Sequence, residues 1–138
     1  MNDVTAKQNE MTLAGVPEGL DALVLAQLVR ESGSETAPGI ILHVARDDRR
    51  LDALETALGF FAPNQRIISM PAWDTVPYDR VGPHPDITAK RITAMAKLVM
   101  GGRKEPTIVL TTVNAILQKM PPRAFIRQSL RPMAATAG

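Results

Sequence analysis

Two hydrophobic periods alternate along the chain, one typical of buried strands and the other of amphipathic helices. Four short apolar runs predict strands at residues 11–16, 40–45, 66–70 and 107–111. Between and after them, apolar side chains recur every three or four positions and predict four helices. The first covers residues 19–31, the second runs from Asp47 or Asp48 to a stop at Pro63-Asn64, the third runs from Asp86 to about Met100, and the fourth covers residues 113–119. This alternation predicts an α/β fold with a mostly parallel sheet and helices on both faces.

The same pattern predicts which residues cap the helices and which helix positions are buried. Asp47 or Asp48, Asp86 and Thr112 precede apolar periodic segments and are predicted N-caps. Strand 40–45 is continuously apolar, so we expect it to be buried on both faces. The expected buried positions are Leu20, Leu23, Val24 and Leu28 in the first helix, and Ile92, Met95, Ala96, Leu98 and Val99 in the third. Lys90, Arg91 and Lys97 are expected to face outward.

Composition narrows the class of protein. The 138 residues suit one domain, and the aromatic content of 4% predicts an aliphatic core. The absence of cysteine excludes disulfides, thiolate nucleophiles and cysteine zinc sites. A net charge of +2 is too small to indicate nucleic-acid binding by itself. Without a signal-like or membrane-length apolar segment, we expect a cytoplasmic protein with no membrane contact.

The turn before the first predicted helix is the place where a nucleotide phosphate would bind in such a fold. A phosphate loop of the Walker A type has the pattern G-x-x-x-x-G-K-[ST]. Counted from Gly15, the second glycine falls on Leu20, the lysine on Asp21 and the hydroxyl residue on Ala22, with Gly19 one position early. Because Asp21 would repel a phosphate, we interpret this segment as a degenerate phosphate loop that binds no nucleotide.

Residues 71–86, "PAWDTVPYDRVGPHPD", concentrate the chain's unusual side chains. An acid–base pair or a hard-metal site is conceivable from Tyr78, Asp79, His84 and Asp86, but no nucleophile accompanies them. With only His43 besides His84 and no cysteine, no metal site is expected, and His43 is expected to be a packed or edge histidine. The structural interpretation is favoured, because four prolines stiffen the segment and Asp86 is placed to begin a helix. In it, Trp73 and Tyr78 anchor the loop, while Asp74, Asp79 and Arg80 bind its backbone or each other. Docking of another domain or partner is the remaining alternative.

Two stretches, "PAWDTVPYDRVGPHPDI" at 71–87 and "IVLTTVNAILQKMPP" at 108–122, resemble the bacterial transcription-repair coupling factors, the Mfd family. The family pattern is P-A-W-[DE]-T-L-P-Y-[DE], then S-P-H-x-D-I, then I-V-x-T-V-N-A-L-x-Q-x-x-P-P. The resemblance covers about residues 12–130, and Gly82 departs from the usual serine. The matching residues are Pro71, Ala72, Trp73, Asp74, Thr75, Pro77, Tyr78, Asp79, Pro83, His84, Asp86, Ile87, Val113, Asn114, Ala115, Gln118, Pro121 and Pro122.

The resemblance implies a particular organisation. Residues 12–130 would form the first α/β lobe of the N-terminal UvrB-like module, a helicase-like, P-loop-NTPase-like lobe with a decayed ATP site. Residues 1–11 would be a disordered tail, and residues 131–138 a flexible tail or the start of the next subdomain. The partners would be the motor and the UvrA-binding subdomain of the same protein and, beyond it, UvrA, RNA polymerase and DNA. ATP and magnesium would bind the separate motor and not this chain.

The preferred hypothesis is therefore a non-catalytic scaffold and regulatory lobe in transcription-coupled nucleotide excision repair. The first alternative is a nucleotide-dependent α/β enzyme. The second is a DNA-binding accessory module, in which Arg123, Arg127 and Arg131 would face DNA or a protein partner.

Overall fold

A computed structural model describes residues 11–34, 36–75, 80–101 and 104–135, with side chains described as far as residue 131. Three strands and five helices follow one another in this part of the chain. They are α1 (Asp21–Glu31), β1 (Ile40–Ala45), α2 (Asp48–Phe61), β2 (Arg66–Met70), α3 (Pro85–Met100), β3 (Thr107–Thr112), α4 (Val113–Leu117) and α5 (Arg123–Ala135). No helix in these ranges is long and apolar enough to cross a lipid bilayer.

The three strands form one parallel sheet in the order β1-β3-β2. Thr107 is the register partner of both Ile40 and Arg66, so the strands begin level with one another. The parallel α/β architecture predicted from the sequence is confirmed. The strand predicted at residues 11–16 is wrong, because these residues are exposed and lie outside regular structure. The described sheet contains β1, β3 and β2, and residues 11–16 pair with none of them.

Helices cover both faces of the sheet, as the pattern predicted. On the first face, α1 and α2 bury a core with β1 and β3, centred on Leu25, Leu54, Ile108 and Leu110. On the second face, α3 and α5 cover a smaller core containing Ile68, Met95, Val109 and Ile126. β3 is buried along its whole length because it is the central strand.

β1 differs from the prediction that both of its faces would be buried. Ile41 packs against the first core, and Ala45 belongs to it. Ile40, Leu42 and Val44, on the second face, are exposed. The continuous apolar run misled the prediction because an edge strand can keep apolar residues on a face that no described element covers.

Helix boundaries were predicted more accurately than buried helix faces. Asp47 is the N-cap of α2, where its carboxylate accepts a 2.8 Å hydrogen bond from the Arg50 N–H. Thr112 caps α4 in the same way, accepting from the Ala115 N–H at 3.2 Å. α1, however, buries Ala22, Leu25, Ala26 and Val29, whereas Leu20 and Leu23 are exposed. Small alanines pack closely on the sheet, which an argument based on leucine spacing overlooks.

The C-terminal helix is an element that the apolar pattern did not predict. α5 contains few large apolar residues, of which Ile126 packs against the second core whereas Phe125 is exposed. Its backbone is helical from Arg123 to Ala135, so the domain boundary predicted at residue 130 falls within a helix.

Candidate functional site

The carboxyl ends of parallel strands are the usual place for ligands in α/β folds, and two arginine-centred clusters lie there. The first, the Arg50 cluster, consists of Arg50, Glu18 and Asp21 and joins α2 to the segment before α1. The second, the Arg91 cluster, consists of Arg91, Pro71, Trp73 and Gln118 and joins α3 to the segments after β2 and α4. Neither cluster contains a Ser, Thr, Cys or Lys side chain.

The segment Gly15–Ala22 turns sharply into α1. Gly15 and Gly19 have positive φ angles of 75° and 96°, conformations that glycine adopts without strain. Leu20 is the N-cap residue and provides no side-chain hydrogen bond. Ala22, which stands where a phosphate loop has its magnesium-binding hydroxyl, is completely buried.

Arg50 supplies the positive charge at this turn, but its guanidinium is bound to carboxylates. Its two terminal nitrogens donate to Glu18 Oε1 and to Asp21 Oδ2, each at 2.6 Å. Asp21 also accepts a hydrogen bond from the Ala22 N–H through Oδ1. Two carboxylates and their guanidinium partner therefore stand in front of the first turn of α1, where a bound phosphate would need unoccupied N–H groups and a cation.

His43 lies in β1 close to these charges and is half-buried. Burial lowers the pKa of its imidazole below the ordinary value. The Asp21 carboxylate acts in the opposite direction and raises this pKa, while the Arg50 guanidinium lowers it further. His43 is therefore a neutral, partly packed histidine of an edge strand at neutral pH, as the sequence predicted.

The segment that follows β2 is closed by Asp74 and His84. Both carboxylate oxygens of Asp74 accept from the backbone N–H of His84 at 3.2 Å, which brings residues 74 and 84 together. Tyr78 and Asp79, predicted to act in this segment, lie outside the described residues. Arg80 is exposed, and no described residue bonds to its side chain.

The N-cap of α3 is His84, so the prediction that Asp86 caps this helix is wrong. The His84 Nδ1 atom accepts from the Asp86 N–H at 3.3 Å. Asp86 lies in the first turn, where its carboxylate faces the positive end of the helix dipole and lies 3.6 Å from His84 Nδ1. Pro85 is the first helical residue, so the cap lies at His84, two positions upstream of the predicted Asp86.

Arg91 is the residue that sequence reasoning most clearly misplaced. It was expected to face outward from α3, but only 1% of it is exposed. Its Nη1 atom donates to the Pro71 carbonyl oxygen at 2.6 Å and lies 3.4 Å from Gln118 Oε1. Burial lowers the pKa of its guanidinium. Ala94 and Met95 are also buried, so the true buried face of α3 runs through an arginine, with the i, i+3, i+4 spacing as its signal.

Trp73 packs its ring against this buried cation. The guanidinium carbon of Arg91 lies 4.6 Å from the ring centroid, a cation–π distance. The backbone N–H of Trp73 donates to Gln118 Oε1 at 2.9 Å, so Gln118 connects the loop backbone to Arg91. Arg91 Nε is a buried donor for which the described residues supply no acceptor. The cluster thus fastens residues 71–73 to α3 and to the end of α4 by a charge that no described carboxylate neutralises.

The predicted partner face on α5 is solvent-exposed. Arg123, Arg127 and Arg131 follow one another at four-residue intervals and line one shallow depression of the helix surface. No described carboxylate lies within ion-pair distance of them. In the described ranges, no group of three or more His, Asp or Glu side chains is placed to hold a metal ion.

Comparison with known proteins finds transcription-repair-coupling factors of several bacteria among the relatives of this chain. The chain is 35% identical over 106 residues to the transcription-repair-coupling factor of Myxococcus xanthus, covering 72% of this chain and 8% of the relative. Identity to the same factor is 28% over 120 residues for Escherichia coli and 27% over 143 aligned positions for Mycobacterium bovis. These two alignments cover 87% and 100% of this chain and 10% of each relative.

No protein-family model matches the chain. The chain spans a tenth or less of the length of the curated relatives it matches. The resemblance drawn from residues 71–87 and 108–122 is nevertheless confirmed by relatives from distant bacteria. Over most of its length, the chain is similar to a short segment of bacterial transcription-repair-coupling factors.

Proposed function

We propose that the chain is a non-catalytic α/β lobe of a transcription-repair coupling factor, with a scaffold and regulatory role in transcription-coupled nucleotide excision repair. In the complete protein this lobe would carry the UvrA-recruiting subdomain and pack against the DNA translocase motor. UvrA, RNA polymerase and DNA would be partners of the whole protein. Since transcription and its coupled repair take place on bacterial chromosomal DNA, the proposed location is the cytoplasm.

The observation that best supports a non-catalytic role is the Arg50 cluster. Asp21 holds the position of the phosphate-loop lysine, and its carboxylate is bound to Arg50 at 2.6 Å. A triphosphate entering this turn would meet two carboxylates, which repel it, and the nearby cation, Arg50, is already bound to both of them. The proposed lobe therefore binds no nucleotide, and ATP and magnesium belong to the motor.

Calorimetric titration of the chain with magnesium–ATP tests this proposal directly. We expect no saturable heat at millimolar nucleotide. Micromolar binding that is lost when Gly19→Val is introduced in the turn would contradict the proposal and favour a nucleotide-dependent enzyme. Gly59→Ala is the matched control, because Gly59 lies on α2 with open space around its Cα.

A pull-down between the chain and purified UvrA tests the scaffold role separately. The proposal places the UvrA contact on the subdomain that follows this lobe. The chain alone is therefore expected not to retain UvrA, whereas a longer polypeptide that includes the following subdomain is expected to retain it. Retention by the 138-residue chain itself would relocate the contact to this lobe.

A further inference from the structure

The second face of the sheet is only half covered. α3 and α5 lie over β2 and part of β3, and beside them a groove of about 660 Å³ remains. Ile40, Leu98, Val109 and Ile126 contribute to its apolar floor and walls. Beyond the groove, Leu42 and Val44 continue the apolar strip along β1, and 55% of Leu42 is exposed. The volume of the groove lies within the range of roughly 300–1,000 Å³ that is typical of ligand-binding clefts.

The rim of this groove is basic. Arg66, Lys97, Arg123 and Arg127 line it, and none of its described lining residues is a carboxylate. Arg66 is held by the carbonyl oxygens of Gly101 and Lys97, and Glu105 approaches it to only 4.0 Å from outside the groove. No described acidic side chain forms an ion pair with Lys97, Arg123 or Arg127. An apolar floor beside the basic side chains of Lys97, Arg123 and Arg127 is complementary to an apolar surface flanked by carboxylates.

We propose that this groove and the adjoining β1 strip bind an amphipathic helix from outside these 138 residues, with an apolar face flanked by Asp and Glu. A helix is the occupant that the architecture favours, because parallel sheets are normally covered by helices on both faces. Helix-in-groove recognition of this kind uses apolar anchors at i, i+3, i+4 and i+7.

Within the 138 residues, the segments outside the described ranges are too short or too poor in apolar side chains to match such a helix. Residues 1–10, MNDVTAKQNE, include only Met1, Val4 and Ala6 as apolar side chains. The other undescribed segments are at most four residues long. A second copy of the chain is disfavoured as well, since a two-fold face-to-face contact would bring two basic rims together.

Nucleic acid is also a poorer match than an acidic helix. Interfaces with DNA are polar and strongly positive, and phosphates gain nothing from the exposed aliphatic strip of Leu42 and Val44. The inference goes beyond the proposed function because it names the chemistry of an occupant for one surface. Its test is independent of nucleotide and of UvrA, so the two proposals can fail separately.

Fluorescence anisotropy with a synthetic helix tests the inference. The probe is a labelled peptide of about four helical turns with leucines at i, i+3, i+4 and i+7 and glutamates on both flanks. We expect saturable binding to the 138-residue chain with a dissociation constant on the order of 10 μM. Replacing the glutamates by lysines is expected to weaken binding at least tenfold.

Variants of the chain locate the bound peptide. Arg127→Glu and Leu42→Ser are expected to weaken peptide binding about tenfold each, because they alter the rim and the strip. Arg49→Glu is the matched control: it makes the same charge change on the exposed surface of α2, on the opposite side of the sheet, and is expected to change binding less than about twofold. Circular dichroism confirms that each variant is folded.

Four outcomes overturn the proposal. They are equal binding of the glutamate and lysine peptides, binding unaffected by Leu42→Ser, self-association that buries the β1 strip, and displacement of the peptide by a duplex DNA oligonucleotide at stoichiometric concentration. The third outcome would assign the strip to a second copy of this chain, and the fourth would assign the rim to nucleic acid.

Discussion

The Arg50 and Arg91 clusters fasten irregular segments to the same edge of the sheet by opposite means. Arg50 is partly exposed and binds two carboxylates, one of them 85% exposed. Arg91 is buried and binds a carbonyl oxygen, an amide oxygen and an aromatic face. Exposed ion pairs contribute little and are screened by salt, whereas removing a buried polar group leaves its partners unsatisfied. The contrast teaches that the visible charge pairs are not where most of the stability at this edge resides.

The largest expected effect comes from removing Arg91. Arg91→Ala is expected to lower the free energy of unfolding by about 3 kcal/mol, because it leaves a cavity and an unpaired Pro71 carbonyl oxygen. Urea unfolding monitored by circular dichroism measures it. Lys90→Ala, on the exposed side of the same helix turn, is expected to change stability by less than about 0.5 kcal/mol. Similar losses in the two variants would remove the distinction between a buried and a solvated cation.

Removing the aromatic partner is expected to have the next largest effect. Trp73→Ala should cost about 2 kcal/mol, less than for a fully buried tryptophan because the residue is half-buried. Trp73→Leu keeps apolar area and removes the cation–π contact, so it should cost about 1 kcal/mol. Chemical denaturation of both variants, with Phe60→Ala on the exposed end of α2 as control, separates packing from the contact with Arg91. Equal losses for Ala and Leu would mean that the ring face matters and the area does not.

Arg50 is expected to matter less and to depend on salt. Arg50→Ala should lower stability by about 1 kcal/mol at low ionic strength and by less at about 1 M salt, where the Debye length is near 3 Å. The loss in Arg91→Ala should be nearly unchanged by the same addition of salt. Thermal unfolding at both salt concentrations measures the difference. If the loss for Arg50→Ala does not depend on salt, its ion pairs are as well shielded from solvent as the contacts of Arg91.

The smallest expected effect is on pH dependence. The pKa of His43 is lowered in the folded chain, so its unfolded form binds a proton more readily. Its contribution is complete above the unfolded value near 6.5 and is lost as pH falls through the lower folded value. The free energy of unfolding should therefore decrease as pH falls below about 7.5, and His43→Gln should reduce the total decrease by less than about 1 kcal/mol. Asp47, whose pKa is lowered by the Arg50 N–H and by Arg46, acts only at more acidic pH and leaves this window unaffected.

The fold could be predicted from the sequence to the extent that local rules decide it. Asp47 and Thr112 cap helices as their positions indicate, and three of the four predicted strands pair in parallel. Local rules failed where tertiary context decides. Leu42 is exposed although it lies in an apolar run, and Ala22 and Ala26 are buried in place of larger neighbours.

The candidate site was predicted only in part. Trp73, Asp74 and His84 form contacts that hold their segment, but Arg91 and Gln118 were not among the predicted site residues. A prediction from sequence pattern places a charged helix residue in solvent, because burying its charge costs free energy unless its donors find partners. Those partners, the Pro71 carbonyl and Gln118, lie 20 and 27 residues away in sequence, so periodicity alone does not reveal them.

The strand order has a consequence for the time course of folding during synthesis. Among the described strands, β1 and β2 are not neighbours, and each pairs with β3, which ends at Thr112. No backbone ladder of this sheet exists until that central strand has left the ribosome, by which time two strands and three helices have already emerged. At about 5–20 residues per second, the interval from the end of β1 to the end of β3 is several seconds to over ten. During it, β1 and, once it has been synthesised, β2 remain without their partner, and the nascent chain depends on its helices until β3 joins the two strands.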